Sequence, residues 1–81
     1  MSTATLLSPA TNYAVVQLPG RNFPGVVVQG DSLNNLVSLL DSALLDENER
    51  MDLIAEALDI LKGARNRYEE TCVNAGIPLP Y

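Results

Sequence analysis

The amino-acid sequence predicts an α+β fold, in which a β-hairpin or three-stranded antiparallel sheet packs against an αα-hairpin with a long C-terminal helix. Short apolar runs bounded by proline and glycine come first along the chain, and an apolar period of three and four residues follows them. The composition, 47% hydrophobic and 19% charged, is typical of a chain that folds. We therefore expect a single domain over residues 1–81, with a β region (1–30), a two-helix region (31–76) and a tail (77–81).

Three segments of the β region have strand-forming sequences. The segment from Tyr13 to Leu18 is rich in aromatic and β-branched residues, and the segment from Val26 to Gln29 is its predicted partner. The connection from Pro19 to Gly25 contains two Pro-Gly pairs, which suit turns because proline fixes φ and glycine accepts a positive φ. A connection this short predicts an antiparallel hairpin. Thr5 to Leu7 is a candidate edge strand.

The first helix is predicted to start after Gly30, where the spacing of apolar residues changes. Its apolar stripe recurs at intervals of three and four residues and comprises Leu33, Leu36, Val37, Leu40, Ala43 and Leu44. Either Asp31 or Ser32 is the predicted N-cap, since both side chains can accept hydrogen bonds from the amides of the first turn. A carboxylate there also suits the positive end of the helix dipole.

A second, longer helix is predicted from about Glu47 to Ala75. Asp46 and Glu49 have the spacing of a variant capping box, and Gly76 followed by Pro78 ends the helix. Its main apolar stripe has heptad spacing and comprises Met51, Ile54, Leu58, Leu61, Tyr68, Cys72 and Ala75, with Arg65 at one core position. A second stripe comprises Leu53, Ala57, Ile60 and Ala64. Two stripes predict two packing surfaces, one of which we expect to be the interface of a homodimer. The seven residues of this predicted interface are Met51, Ile54, Leu58, Leu61, Arg65, Tyr68 and Cys72.

Two residues of this helix stand out from the pattern. Arg65 interrupts the heptad stripe, either as a side chain that reaches solvent from the edge of the stripe or as half of an ion pair across a dimer, with Glu69 or Asp59 of the partner. Gly63 costs a helix roughly 1 kcal/mol relative to alanine, so it either permits a close helix crossing or marks a kink.

The residue types favour a protein without catalytic activity. The sequence has no histidine, which removes the most common general base and metal ligand. Cys72 has no activating neighbour in the sequence and is interpreted as a small buried hydrophobe rather than a nucleophile. The carboxylates of Asp52, Glu56 and Asp59 are interpreted as a solvated helix face, with divalent-metal binding as the alternative. No cofactor or metal is expected.

Charge and cysteine content limit the expected partners and location. The net charge is −5, and acidic residues are concentrated between positions 41 and 60, which disfavours nucleic acid as a partner. A single cysteine permits no internal disulfide and favours the cytoplasm. No segment is long and apolar enough for a signal peptide or a membrane span.

Residues 13–45 resemble the HicB-type antitoxin domain. Members of that family carry a strand, a Leu-Pro-Gly turn, a short strand and then Gly-Asp-Thr/Ser-Leu at the start of a helix. The corresponding segments here are Phe23-Pro24-Gly25 for the turn, Val26-Val27-Val28-Gln29 for the strand and Gly30-Asp31-Ser32-Leu33 for the helix start. The whole chain also looks like a small uncharacterised bacterial family of this length.

The resemblance implies a protein-interaction module that self-associates and masks a small basic RNA-cleaving toxin. A long second helix replaces the further strand of that family, and we expect no DNA-binding appendage and no autoregulatory role. An acidic surface is electrostatically compatible with a basic partner. The alternatives are a self-assembling homodimeric structural or regulatory protein, and a small-ligand or metal binder that uses the carboxylate face.

Overall fold

The computed structural model describes residues 3–81 and confirms the α+β class. Its elements, in chain order, are β1 (Thr5–Leu6), β2 (Val15–Gln17), β3 (Gly25–Val26), α1 (Gly30–Leu45) and α2 (Arg50–Ala75). Two compact units divide the chain. The sheet unit contains the described residues up to Val28 together with Ala64–Tyr81, and the hairpin unit contains Gln29–Gly63. None of the helices in residues 3–81 combines the length and apolar character needed to cross a membrane.

The three strands form one antiparallel sheet in the order β1-β2-β3. Leu6 pairs with Val16, and Val16 in turn pairs with Gly25. The central strand runs from Val15 to Gln17 and is shorter than the predicted strand from Tyr13 to Leu18. It starts late because Tyr13 has a φ of 60°. An extended backbone cannot pass through that left-handed conformation, so regular pairing begins after it.

The connection between β2 and β3 turns at Gly20 rather than at Gly25. Gly20 has a φ of 77°, which glycine adopts without steric cost. The side-chain amide of Gln17 donates to the Leu18 carbonyl at 3.1 Å and the Arg21 carbonyl at 2.8 Å, which holds this turn. Gly25 lies in β3, so its assignment to the turn is wrong. Strand β3 therefore starts at Gly25, one residue before the predicted start at Val26. It ends at Val26, whereas the predicted strand continued to Gln29.

The core of the sheet unit joins the central strand to the last turns of α2. Val15 and Cys72 are fully buried, and Tyr68 exposes only 7% of its surface. The Tyr68 hydroxyl donates to the Pro24 carbonyl at 2.9 Å in a buried hydrogen bond. The partly buried residues packed against this core are Leu7, Val26, Ile77 and Leu79. The sheet therefore packs against the C-terminal part of α2.

The buried Tyr68 predicts a loss of stability in alkali. Burial, together with the Cys72 thiol, raises the pKa of Tyr68 above its ordinary value of 10.0. The folded state holds the Tyr68 proton more tightly than the unfolded state. The contribution of this difference to the free energy of unfolding is complete below pH 10.0 and is lost as the pH rises through the folded-state pKa. Urea unfolding across this range should show a decline in the free energy of unfolding that is weaker in Tyr68→Phe. Equal declines in the two proteins would contradict the prediction.

Helix α1 begins before the predicted cap. Its N-cap position is Gln29, whose side chain makes no capping hydrogen bond, and the Leu33 amide donates to the Gln29 carbonyl at 2.9 Å. The assignment of Asp31 or Ser32 as N-cap is therefore wrong, because Gly30 already has a helical conformation and moves both residues into the first turn. The Asp31 carboxylate accepts from the Ser32 amide at 2.8 Å and still lies at the positive end of the helix dipole.

The connection between the helices depends on Asp46. Its carboxylate accepts hydrogen bonds from the amides of Asn48 at 3.0 Å and Glu49 at 3.2 Å, as the capping half of the predicted box requires. The reciprocal hydrogen bond of a capping box, from the Asp46 amide to the Glu49 side chain, is wrong. The Asp46 amide donates instead to the Ser42 carbonyl at 3.0 Å. Helix α2 accordingly begins at Arg50, after the predicted start at Glu47.

Helix α2 ends in a Schellman motif centred on Gly76. Gly76 has a φ of 69°, as predicted for the terminating glycine. The Ile77 amide donates to the Cys72 carbonyl at 2.8 Å and the Gly76 amide to the Val73 carbonyl at 3.2 Å. Ile77 also packs against the core, so the motif directs the tail back onto the sheet unit.

Alanine is expected to have opposite effects at two glycines of this helix. A Cβ at Gly63 would meet nothing within 4 Å among the described residues, so no close helix crossing requires this glycine. Gly63→Ala should raise the free energy of unfolding by about 1 kcal/mol through helix propensity. Gly76→Ala should lower it by about 1 kcal/mol, because alanine is strained at this positive φ. Urea unfolding monitored by circular dichroism tests both, and a destabilised Gly63→Ala would show that the glycine has a structural role.

Candidate interaction surface

The candidate residues for nucleophilic or metal chemistry are Cys72 and three carboxylates of α2. Cys72 is a free cysteine that is fully buried in the sheet unit, which confirms its interpretation as a small core residue. Within residues 3–81, His, Cys, Asp and Glu side chains form no group of three or more that could hold a metal ion. The carboxylates of Asp52, Glu56 and Asp59 are solvent-exposed and belong to no such group.

Helix α1 presents a row of exposed apolar side chains. This α1 row consists of Leu33, Val37, Leu40 and Leu44, which expose 54%, 49%, 45% and 76% of their surface. The predicted stripe also contained Leu36 and Ala43, and these two are buried, at 7% and 3% exposed. The single predicted stripe is therefore divided into an inward part and an outward row. A surface helix usually directs its apolar stripe into the core, so an outward row requires an explanation.

Helix α2 presents a second exposed apolar row within the hairpin unit. This α2 row consists of Met51, Ile54, Leu58 and Leu61, which expose 76%, 40%, 47% and 47% of their surface. Ala57, from the second predicted stripe, is 2% exposed, and its neighbours Leu53 and Ile60 are half-buried. The second stripe is thus the inward one, and the first half of the heptad stripe is the outward one.

The structure separates the seven residues of the predicted interface. The α2 row is open to solvent, whereas Tyr68 and Cys72 form part of the core of the sheet unit. Those two side chains cannot also cover a partner, so the part of the hypothesis that places them in a dimer interface is corrected. Their heptad spacing is satisfied within one chain, because the sheet supplies the apolar surface that they cover.

The family model described as "Family of unknown function (DUF6959)" matches residues 1–81. The chain belongs to DUF6959. Comparisons with curated proteins and with solved structures found no match. DUF6959 is described as a family of unknown function, so the resemblance to the HicB-type domain stays a prediction.

Arg65 of this DUF6959 member forms an ion pair within its own helix. The guanidinium Nε lies 3.5 Å from Glu69 Oε1, one helical turn away. The two side chains are 57% and 36% exposed, so the pair contributes at most a few tenths of a kcal/mol. One of the two carboxylates expected to meet Arg65 across a dimer is thus already paired within the chain. The register-setting role of Arg65 stays a prediction.

Arg50 is a structural residue of the hairpin unit that the sequence did not single out. Its Nε donates to the Ala43 carbonyl at 2.8 Å and its Nη2 to the Leu44 carbonyl at 3.3 Å. Carbonyls at a helix C-terminus lack helical partners, and a positive charge there also suits the helix dipole. The signal in the sequence was a lone cation among the carboxylates between positions 41 and 60, in the first turn of the predicted second helix.

Removing the Arg50 guanidinium should therefore destabilise the DUF6959 fold. Arg50→Gln is expected to lower the free energy of unfolding by about 1 kcal/mol, because two carbonyls of α1 lose a charged donor. Lys62→Gln removes the same charge from an exposed site on the same helix and should change stability little. Urea unfolding of both variants tests the prediction. Equal effects would mean that the two hydrogen bonds of Arg50 contribute nothing to stability beyond the charge of the side chain.

Proposed function

We propose that this chain is a non-catalytic protein-interaction module that binds its partner through the α1 and α2 rows. The supporting observation is that eight large apolar side chains on one helical hairpin are 40% to 76% exposed. Contiguous apolar surface of this kind marks sites of protein association on soluble proteins. The absence of histidine from the sequence and the burial of Cys72 are consistent with a role that involves no chemistry.

A small basic protein is the partner that the HicB-type resemblance suggests. The carboxylates between positions 41 and 60 would attract such a partner and speed its association. On this proposal the module acts in the bacterial cytoplasm and masks the partner, without binding DNA or RNA itself. The alternative is a homodimeric structural or regulatory protein, in which a second copy covers the same rows.

An affinity capture experiment tests the proposed function. Tagged wild-type protein, Leu58→Glu and Ser38→Glu are used as baits in native lysate, and mass spectrometry is combined with an elution-size profile. Leu58→Glu places a charge in the α2 row, whereas Ser38→Glu places the same charge at an exposed α1 position outside both rows. We expect a stoichiometric protein with wild type and Ser38→Glu that is lost with Leu58→Glu.

Two results would contradict the proposed function. Wild type could retain no stoichiometric protein, or Leu58→Glu could retain the same protein equally well. If a small basic protein is retained, inhibition of its ribonuclease activity by wild type is the next assay. If only untagged copies of the chain are retained, the homodimeric alternative is favoured.

A further inference from the structure

We propose that the α1 and α2 rows form one continuous face of the hairpin unit, and that a second copy of the chain covers this face to give a symmetric four-helix bundle. This inference rests on the proposed function, in which the two rows are a binding surface, and it takes the homodimeric alternative: a second copy, rather than a basic protein, covers the rows. It differs from a dimer formed along α2 alone, since α1 contributes half of the contact surface.

Helix geometry places the two rows on one side of the hairpin. In α1 the row lies about a quarter turn around the helix from buried Leu36 and Ala43, at ~100° per residue. In α2 the row lies about a quarter turn from buried Ala57, in the same rotational sense when each helix is viewed from its N-terminus. A connection of only four residues makes the helices antiparallel neighbours. When the buried residues of two antiparallel helices face each other, rows that are rotated from them by equal angles in the same sense lie on the same side of the hairpin.

The exposed area of the two rows matches the area that one partner contributes to a stable dimer. From their exposed fractions, the eight side chains together leave roughly 800 Å² accessible, and each partner in a standard interface contributes ~800 Å². A patch of this size exceeds the ~300–600 Å² that is typical of the largest apolar patch on a monomer. The area therefore suffices for a stable dimer without a contribution from the sheet unit.

The distribution of charge around the face favours a second copy over a basic protein. Neither row contains a charged residue, so the face itself offers nothing that selects a cation. On α2 the exposed carboxylates of Asp52, Glu56 and Asp59 lie roughly 150° around the helix from the row. A basic protein seated on the face would leave these carboxylates unpaired. A second copy would cover the face with an identical apolar surface, since a two-fold symmetric interface uses the same patch on both copies. It would also keep its own carboxylates in solvent.

The spacing within the rows also suits helix-on-helix packing. The α2 row has steps of three, four and three residues, and the α1 row has steps of four, three and four. These are the steps of the a and d positions that interdigitate in coiled coils and four-helix bundles. A flat or irregular partner surface would not require this regularity on both helices.

Sedimentation equilibrium of the full chain, from low to high micromolar concentration, tests the proposal. Leu40→Glu interrupts the α1 row, Leu58→Glu interrupts the α2 row, and Ser38→Glu is the matched control outside both rows. The substituted leucines are 45% and 47% exposed, so circular dichroism should show unchanged helix content. We expect wild type and Ser38→Glu to be dimers, and both leucine variants to be monomers over the same range.

Salt dependence provides a second readout. Two copies that each carry a net charge of −5 repel one another, so added salt should leave the dimer unchanged or strengthen it. A complex with a basic partner would weaken instead. A dimer that salt dissociates would therefore contradict the proposed apolar face.

Three results would overturn the inference. Wild type could remain a monomer at high micromolar concentration, the dimer could survive both leucine substitutions, or only Leu58→Glu could dissociate it, which would confine the interface to α2. The proposed function is judged separately by the capture experiment. A monomeric wild type that retains a different protein, and loses it on Leu58→Glu, would overturn the second copy and leave the interaction module standing.

Discussion

Tyr68→Ala is expected to lower the free energy of unfolding by about 3–5 kcal/mol, the usual cost of removing a buried aromatic side chain. Small domains are stable by only ~5–15 kcal/mol, so this variant should be largely unfolded in mild urea. Two contributions combine at this position. The ring packs against Val15 and Cys72 beneath the sheet, and the hydroxyl donates to the Pro24 carbonyl at 2.9 Å.

Two further variants separate these contributions. Tyr68→Phe keeps the ring and leaves the Pro24 carbonyl without its donor, which should cost about 1–3 kcal/mol. Glu70→Ala changes an exposed residue of the same helix and should leave the unfolding midpoint almost unchanged. Urea titrations followed by far-ultraviolet circular dichroism provide the three values. If Tyr68→Ala were as stable as Glu70→Ala, the sheet could not be held to α2 through this core.

The sequence predicted four of the five elements in their order, and offered Thr5 to Leu7 as a candidate for the fifth, because the signals that specify them are local. Short runs of β-branched residues, the three-and-four period and the Gly76 terminator act over a few residues, so no knowledge of the folded chain is needed. Boundaries were less accurate, as expected for features that depend on hydrogen bonding. The start of α1 at Gly30 and the membership of Gly25 in β3 depend on amide partners that the sequence does not identify.

The sequence could not show which apolar residues face inward. In α1 a broad apolar arc leaves open whether Leu36 or Leu40 is buried, and the folded chain buries Leu36 while Leu40 stays 45% exposed. In α2 the heptad period is the same for contacts within a chain and between chains. Tyr68 therefore appeared to belong with Leu58, although its buried hydrogen bond joins it to Pro24, 44 residues away. The two apolar rows became visible only once the exposure of each side chain was known.

Cys72 offers the most direct test of the sheet-unit core, since native protein should react with a thiol reagent at least ~10³ times more slowly than denatured protein. The side chain is fully buried, so reaction requires an opening of the core. Each tenfold protection corresponds to ~1.4 kcal/mol of opening free energy when closing is faster than labelling. The measurement compares the rate at which the Cys72 thiol releases the aromatic thiolate from a disulfide reagent, in buffer for the native protein and in concentrated urea for the denatured protein.

A shifted cysteine provides the matched control for this measurement. The double variant Cys72→Ala/Val73→Cys moves the thiol by one residue to a position that is 70% exposed, and it should label almost as fast as the denatured chain. Tyr68→Phe should reduce the protection of Cys72 by the same free energy that it removes from unfolding, if the same opening controls both. Rapid labelling of Cys72 in the native protein would contradict the core in which strand, tyrosine and cysteine pack together. Protection that is unchanged in Tyr68→Phe would show instead that the thiol is exposed by a smaller, local opening of α2.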